Sequence, residues 1–129
     1  MPQTYPLTRR GNLLIARAAV TGPAGTKVVN LLVDTGSTYT ILPVEVLESI
    51  GLSPAQSAAH ERIATGSGYI IAPKLGVRTF NTLGRKFRHL PVIAHTLPFG
   101  GPIDGLLGMD VLSRLKARIV VDDGSIEVE

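Results

Sequence analysis

The sequence predicts one all-β domain carrying one or two short helices. Three observations carry that prediction. Apolar runs are short and separated by clusters rich in glycine, proline and small polar residues, the punctuation of strands and turns. Hydrophobic residues make up 44% of the 129 residues and glycine contributes 14, which suits a compact, turn-rich fold. Only two stretches, Val44 to Ile50 and Met109 to Leu115, repeat their apolar residues at helical spacing.

Taken in order, residues 1–12 read as an N-terminal arm, with Pro2, Pro6 and Arg9-Arg10-Gly11, ordered only if something holds it. Residues 13–129 read as the folded domain. Leu13 to Val20 is a strand, Thr21-Gly22-Pro23-Ala24-Gly25 a turn, and Thr26 to Val33 the returning strand. Tyr39 to Leu42 is a short extended piece. Pro43 suits the first turn of a helix, where its missing N–H costs nothing, and Val44, Leu47 and Ile50 then recur until Gly51 stops the helix. Glu45 and Glu48 fall on its wet face. Ser53 to His60 is small and polar, a loop. Glu61 to Ala64 and Tyr69 to Ala72 are strands joined by Thr65-Gly66-Ser67-Gly68. Lys74 to Phe80 and Lys86 to Ala94 are further strands around Asn81-Thr82-Leu83-Gly84. Pro98-Phe99-Gly100-Gly101-Pro102 is a loop placed to wall a groove. Leu106 and Leu107 return as a buried strand. Val111, Leu112 and Leu115 then share a helical face, with Asp110 near the positive end of the helix dipole. Arg118 to Val121 and Ser125 to Glu129 form a last hairpin, tightened at Asp123-Gly124. No internal repeat is present.

Composition removes whole classes of chemistry. There is no cysteine, so disulfide frameworks, thiolate metal sites and cysteine nucleophiles are excluded. Charged residues are only 18% of the chain, too few for a disordered one. The net charge of +3 is spread along the sequence except at Arg85-Lys86-Phe87-Arg88-His89. That cluster reads as a solvated strand face with Phe87 turned inward. No nucleic-acid motif accompanies it, so no nucleic-acid partner is expected. His60, His89 and His95 lack ligand spacing and read as surface or packing residues; neither metal nor cofactor is expected. No stretch approaches the roughly 20 apolar residues that cross a bilayer. Leu13-Leu14-Ile15-Ala16 is too short for a signal-peptide core, and Arg17 interrupts it. The expectation is a soluble, cytoplasmic chain with no membrane partner.

One stretch organises the rest. Val28 to Val33 is apolar except at Asn30, and it ends at a single carboxylate followed by a hydroxyl, a glycine and another hydroxyl: Asp34-Thr35-Gly36-Ser37. The chain thus delivers one acid to the lip of its core among hydrogen-bond donors, a costly place for a charge. Taken alone, such a tetrapeptide is most often a turn or a helix cap. A second piece lies far downstream, Asp104-Gly105-Leu106-Leu107-Gly108-Met109-Asp110. Together the two pieces resemble the retropepsin-like, retroviral-type aspartic proteases, and the resemblance runs from about Leu13 to the C-terminus.

That resemblance implies a single-lobe acid-protease fold in which the downstream strand threads beneath the Asp34 loop. It makes Asp34 the catalytic acid. Thr35 would lock two such loops across a dimer, the Gly36 amide would reach the carboxylate, and the Ser37 hydroxyl would bond it as well. Many viral relatives carry Ala at that last position. An extra donor favours a charged carboxylate, so a more acidic optimum than theirs is expected. The Thr65-Gly66-Ser67-Gly68 hairpin takes the place of a substrate-covering flap; its glycines let backbone amides approach a ligand. Carboxylate-driven peptide hydrolysis needs two acids on one water, and this chain has one such motif. The implied partners are therefore a second copy of the chain and a polypeptide substrate. A catalytically inactive dimeric peptide-binding module of the same fold is the alternative.

Overall fold

The computed structural model describes residues 1–65, 67–98 and 101–129. Gly66 at the hairpin tip and Phe99 and Gly100 of the predicted groove wall lie outside the described residues. The chain enters through two short strands, β1 (Gln3–Pro6) and β2 (Thr8–Arg10). A long hairpin follows, β3 (Leu13–Gly22) and β4 (Gly25–Val33), turning at Pro23 and Ala24 as the sequence indicates. β5 (Ile41–Leu42) leads into the helix α1 (Val44–Ser49). Next come β6 (Ala59–Thr65), β7 (Gly68–Thr82) and β8 (Arg85–Ala94). β9 (Gly105–Leu107) and α2 (Met109–Arg114) then precede the closing hairpin, β10 (Arg118–Val120) and β11 (Ser125–Val128). The expected all-β fold with two short helices is the observed one.

One sheet runs in the order β2-β3-β4-β9-β5-β8-β7-β6, and β7 also pairs with β3, so the sheet curls back on itself. Ala18 to Thr21 of β3 face Thr79 to Thr82 of β7 across that closure. Inside lies a core in which Val20, Leu31, Leu42, Leu47, Phe80 and Leu107 are essentially inaccessible to solvent. The alternation that predicted the strands is what fills it: inward residues pack, outward ones stay wet. A smaller sheet, β1-β11-β10, places β11 between the N-terminal strand and β10. The N-terminal segment is thus held at both ends. β1 pairs with β11, and β2 pairs with Leu13 to Ile15 of β3.

Four local readings need correction. Pro43 is the residue before α1, in extended conformation, and not part of its first turn; its carbonyl accepts the first helical bond, from the Leu47 amide at 3.2 Å. The stretch 53–60, read as loop, contains a single 3-10 turn at Pro54–Gln56 and then starts β6 at Ala59. The two strands expected around Pro73 are one continuous strand, β7. Pro73 is tolerated there because the strand changes partners beside it: Lys74 pairs with Ala59 on one side and with Ile93 on the other. Finally, the last hairpin turns over four residues, 121–124, because Val120 pairs with Ser125 and the Gly124 amide bonds the Val121 carbonyl at 3.2 Å.

The basic cluster has the expected form. Phe87 is buried while Lys86, Arg88 and His89 are exposed, and the Arg85 guanidinium bonds the Glu129 and Arg114 carbonyls. Among the described residues no helix is long and apolar enough to cross a membrane.

Candidate active site

Asp34 stands where β4 ends, and its position is fixed by a strand from the far end of the sequence. β9 runs parallel to β4, with Leu31 beside Gly105 and Val33 beside Leu107, and β5 closes its other side through Ile41 and Leu106. The Asp34 amide continues this ladder, donating to the Leu107 carbonyl at 3.0 Å. β9 is therefore a wedge under the loop. It fits only because its first residue and the residue after it are glycines: a Cβ on Gly105 would sit 2.1 Å from the Ile41 carbonyl oxygen, and one on Gly108 would sit 2.4 Å from that of Tyr39.

Past Asp34 the chain folds tightly. The Gly36 amide donates to Asp34 Oδ1 at 2.9 Å, as expected from the sequence, and the Ser37 amide donates to the Asp34 carbonyl at 3.2 Å. The loop then docks on α2, whose first amides have no partners within the helix. Met109 N donates to the Ser37 carbonyl at 2.8 Å, and Asp110 N donates to that of Thr38 at 3.2 Å. Beneath lies Thr40, wholly buried. Its hydroxyl donates to Asp110 Oδ1 at 2.8 Å and accepts from the Gly108 amide at 3.2 Å, while its own amide donates to Asp110 Oδ2 at 3.0 Å. Asp110, read from sequence as a dipole residue, is the bolt between loop and helix.

The Ser37 hydroxyl departs from expectation. It donates to the Tyr39 carbonyl at 2.6 Å. A hydroxyl has one proton to give, so that proton is not offered to Asp34, and the expected more acidic optimum loses its basis.

A cavity of about 510 Å³ opens above the loop. Asp34, Ser37 and Tyr39 line its floor, Ile63 and Ser67 its roof from the β6–β7 hairpin, and Leu97 one wall. Of the residues singled out in the sequence, Asp34, Gly36, Ser37 and Ser67 meet around this space. Thr35 and Gly68 are not on its wall. Gly66 and the Thr65 side chain lie outside the described residues. Sequence reading missed Tyr39, Ile63 and Ile70; Ile63 and Ile70 face each other across the hairpin, a pairing of apolar residues from both strands that could have marked them. It also missed Arg62 and His95. His95 is half-buried on the cavity wall rather than a plain surface group. Lys74 braces the hairpin against the floor, paired with Glu61 at 3.1 Å and lying over the Tyr39 ring at 5.3 Å.

Two features bear on chemistry. Asp34 is the single carboxylate lining the cavity among the described residues. The tip beside it faces outward: Thr35 and Gly36 are exposed, and the Thr35 hydroxyl has no partner within the chain among the described residues. No group of three His, Asp or Glu side chains able to hold a metal occurs among the described residues.

A family model described as aspartyl protease matches residues 16–111, from the first long strand through the start of α2. This chain belongs to the aspartyl protease family. Family membership makes it an aspartic-type peptidase, acting on polypeptides. Among solved structures it is similar to a retropepsin-like aspartic protease from Rickettsia conorii, with a TM-score of 0.74 at 19% identity, over 99% of this chain and 91% of that one. That likeness establishes the retropepsin-like fold of this family member. No curated protein sequence matches the chain.

Proposed function

We propose that this peptidase is an endopeptidase active as a homodimer, with Asp34 of each subunit acting on one shared water. The observation that carries the reading is the solitary Asp34 carboxylate in a cavity of about 510 Å³, beside an exposed Thr35-Gly36 tip. Hydrolysis by carboxylates needs two of them. The ionised one takes a proton from water as that water attacks the scissile carbonyl. The protonated one donates to the carbonyl oxygen, and the proton then passes to the departing amine. Two carboxyls about 3 Å apart cannot both ionise, so they share a proton. A two-fold axis at the tip would supply the second acid from an identical loop, through an isologous contact.

In this reading Thr35 spends its free hydroxyl across the axis and Gly36 holds the carboxylate. Thr65, Gly66, Ser67 and Gly68 are the flap over the substrate. Residues 13–129 are the protease domain and 1–12 its arm. An extended peptide would lie between floor and flap, bonded through its backbone as an added strand.

Incubation of the purified protein with a mixed peptide library tests the proposal. Cleavage should occur, and Asp34→Asn should reduce it by at least about a thousandfold, the loss of a general acid–base pair. Tight peptide binding without cleavage by the unaltered protein would instead favour the inactive binding module.

A further inference from the structure

A second groove, of about 260 Å³, lies on the same chain and takes its walls from Thr8, Arg10, Ile15, Arg17, Asn30 and Pro102. Its chemistry is unlike that of the first cavity. Arg10 and Arg17 are both exposed, and neither guanidinium has a hydrogen-bond or carboxylate partner among the described residues. The acid two residues beyond Pro102 is already engaged. Asp104 accepts the Asn30 amide at 2.8 Å through Oδ2, and its own amide donates to the Asn30 carbonyl at 2.8 Å. Two unpaired cations thus share one concave space.

Strand register connects this groove to the active site. Arg17 lies opposite Asn30, Ile15 lies opposite Leu32, and Thr8 lies opposite Ile15. Residues 30, 32 and 34 of one strand direction point to one face. Leu32 lies beside Leu106 in register and packs against the cluster that contains Ile41 and Leu106, both of which line the Asp34 cavity. One sheet face therefore passes from the Arg17–Asn30 pair, over Ile15 and Leu32, to Asp34. At roughly 3.3 Å per residue, Asn30 is about 13 Å along the strand from Asp34. An extended peptide covers that distance in about four residues. The loop that walls the groove at Pro102 also walls the cavity at Pro98.

From this we infer that the Arg10–Arg17 groove is an outlying substrate subsite that takes an acidic side chain about three to five residues from the scissile bond. The inference rests on the proposed cleavage at Asp34, and it supplies the substrate class: extended peptides with an acidic flank. Arginine suits the task, since its planar donors fit a carboxylate in paired fashion and it stays charged at any working pH. The cavity itself adds Arg62 to the same positive side of the balance.

The test pairs a cleavable peptide carrying glutamates in that flank with its glutamine counterpart. Exposed charge pairs of this kind change kcat/KM by about five- to tenfold when two act together. The glutamate peptide should be favoured by that factor. The preference should fall to near unity in the Arg10→Gln, Arg17→Gln protein and at about 0.5 M salt, where screening is short-ranged. Cleavage of the glutamine peptide should fall far less than that of the glutamate peptide. Equal rates for the two peptides with the unaltered protein would overturn the subsite while leaving the peptidase reading intact. If the double variant loses its dimeric mass, the guanidinia serve the partner subunit, and the subsite is likewise overturned. Anisotropy of the same peptides, fluorescein-labelled, on the Asp34→Asn protein measures the preference where no cleavage is detected. Tighter binding of the glutamate form would uphold the subsite, and equal binding would reject it.

Discussion

At the residue scale, the site depends less on Asp34 itself than on what holds it. Thr40 is the clearest case: it is buried, and three of its hydrogen bonds lead to Asp110 and Gly108. Thr40→Val conserves shape but strands the Gly108 amide and leaves Asp110 Oδ1 with the Val111 amide alone. A buried polar group left unpaired costs about 1–3 kcal/mol, so the denaturant midpoint should fall accordingly with an unchanged slope. A loss below about 0.5 kcal/mol would mean that water or another donor replaces the hydroxyl. Asp34 and Gly36 were legible in the sequence because an acid after an apolar strand, followed by a glycine, is a local pattern. The Thr40–Asp110 bolt was not, since its partners are 70 positions apart and each looks ordinary in its own surroundings. Ser37 was misread for a related reason. A hydroxyl's single proton goes to whichever acceptor the turn brings closest, and here that is the Tyr39 carbonyl.

At the scale of elements, β9 carries the architecture. It is three residues long, yet it separates β4 from β5 and leads directly into the helix on which the Asp34 loop rests. Its insertion depends on Gly105, whose Cβ position is 2.1 Å from a backbone oxygen that cannot move without opening the sheet. Gly105→Ala should therefore cost at least about 2 kcal/mol by overpacking, visible as a lowered thermal midpoint. It should also lower peptidase activity more than Thr40→Val does, because the wedge itself is displaced. A fully stable, active Gly105→Ala protein would refute the wedge. The sequence marked this strand through its apolar pair between glycines. It left unmarked the parallel pairing with β4, because parallel partners are joined by long connections rather than turns. β7 was cut in two for the opposite reason. Pro73 ordinarily breaks a ladder, and only the sheet order reveals that the ladder changes sides there.

At the scale of the whole molecule, the curled sheet closes through β3 and β7 and gathers Phe80, Phe87 and most of its buried leucines into one core. The C-terminal hairpin is not a loose appendage. β11 is paired on both edges, with β1 and β10, so the chain's two ends brace each other. Tyr5 of β1 also packs against Gly84 in the β7–β8 turn, tying that small sheet to the large one. What this single chain presents is a finished floor, a cavity and one acid with an outward tip. The proposed enzyme is complete only when two tips meet, and the most direct measurement mixes subunits. Unaltered and Asp34→Asn proteins, combined in varying ratio and allowed to exchange, should yield peptidase activity that follows the square of the unaltered fraction, about a quarter at an equal mix. Activity falling in simple proportion to that fraction, about half at an equal mix, would mean each chain works alone and would contradict the shared pair of acids.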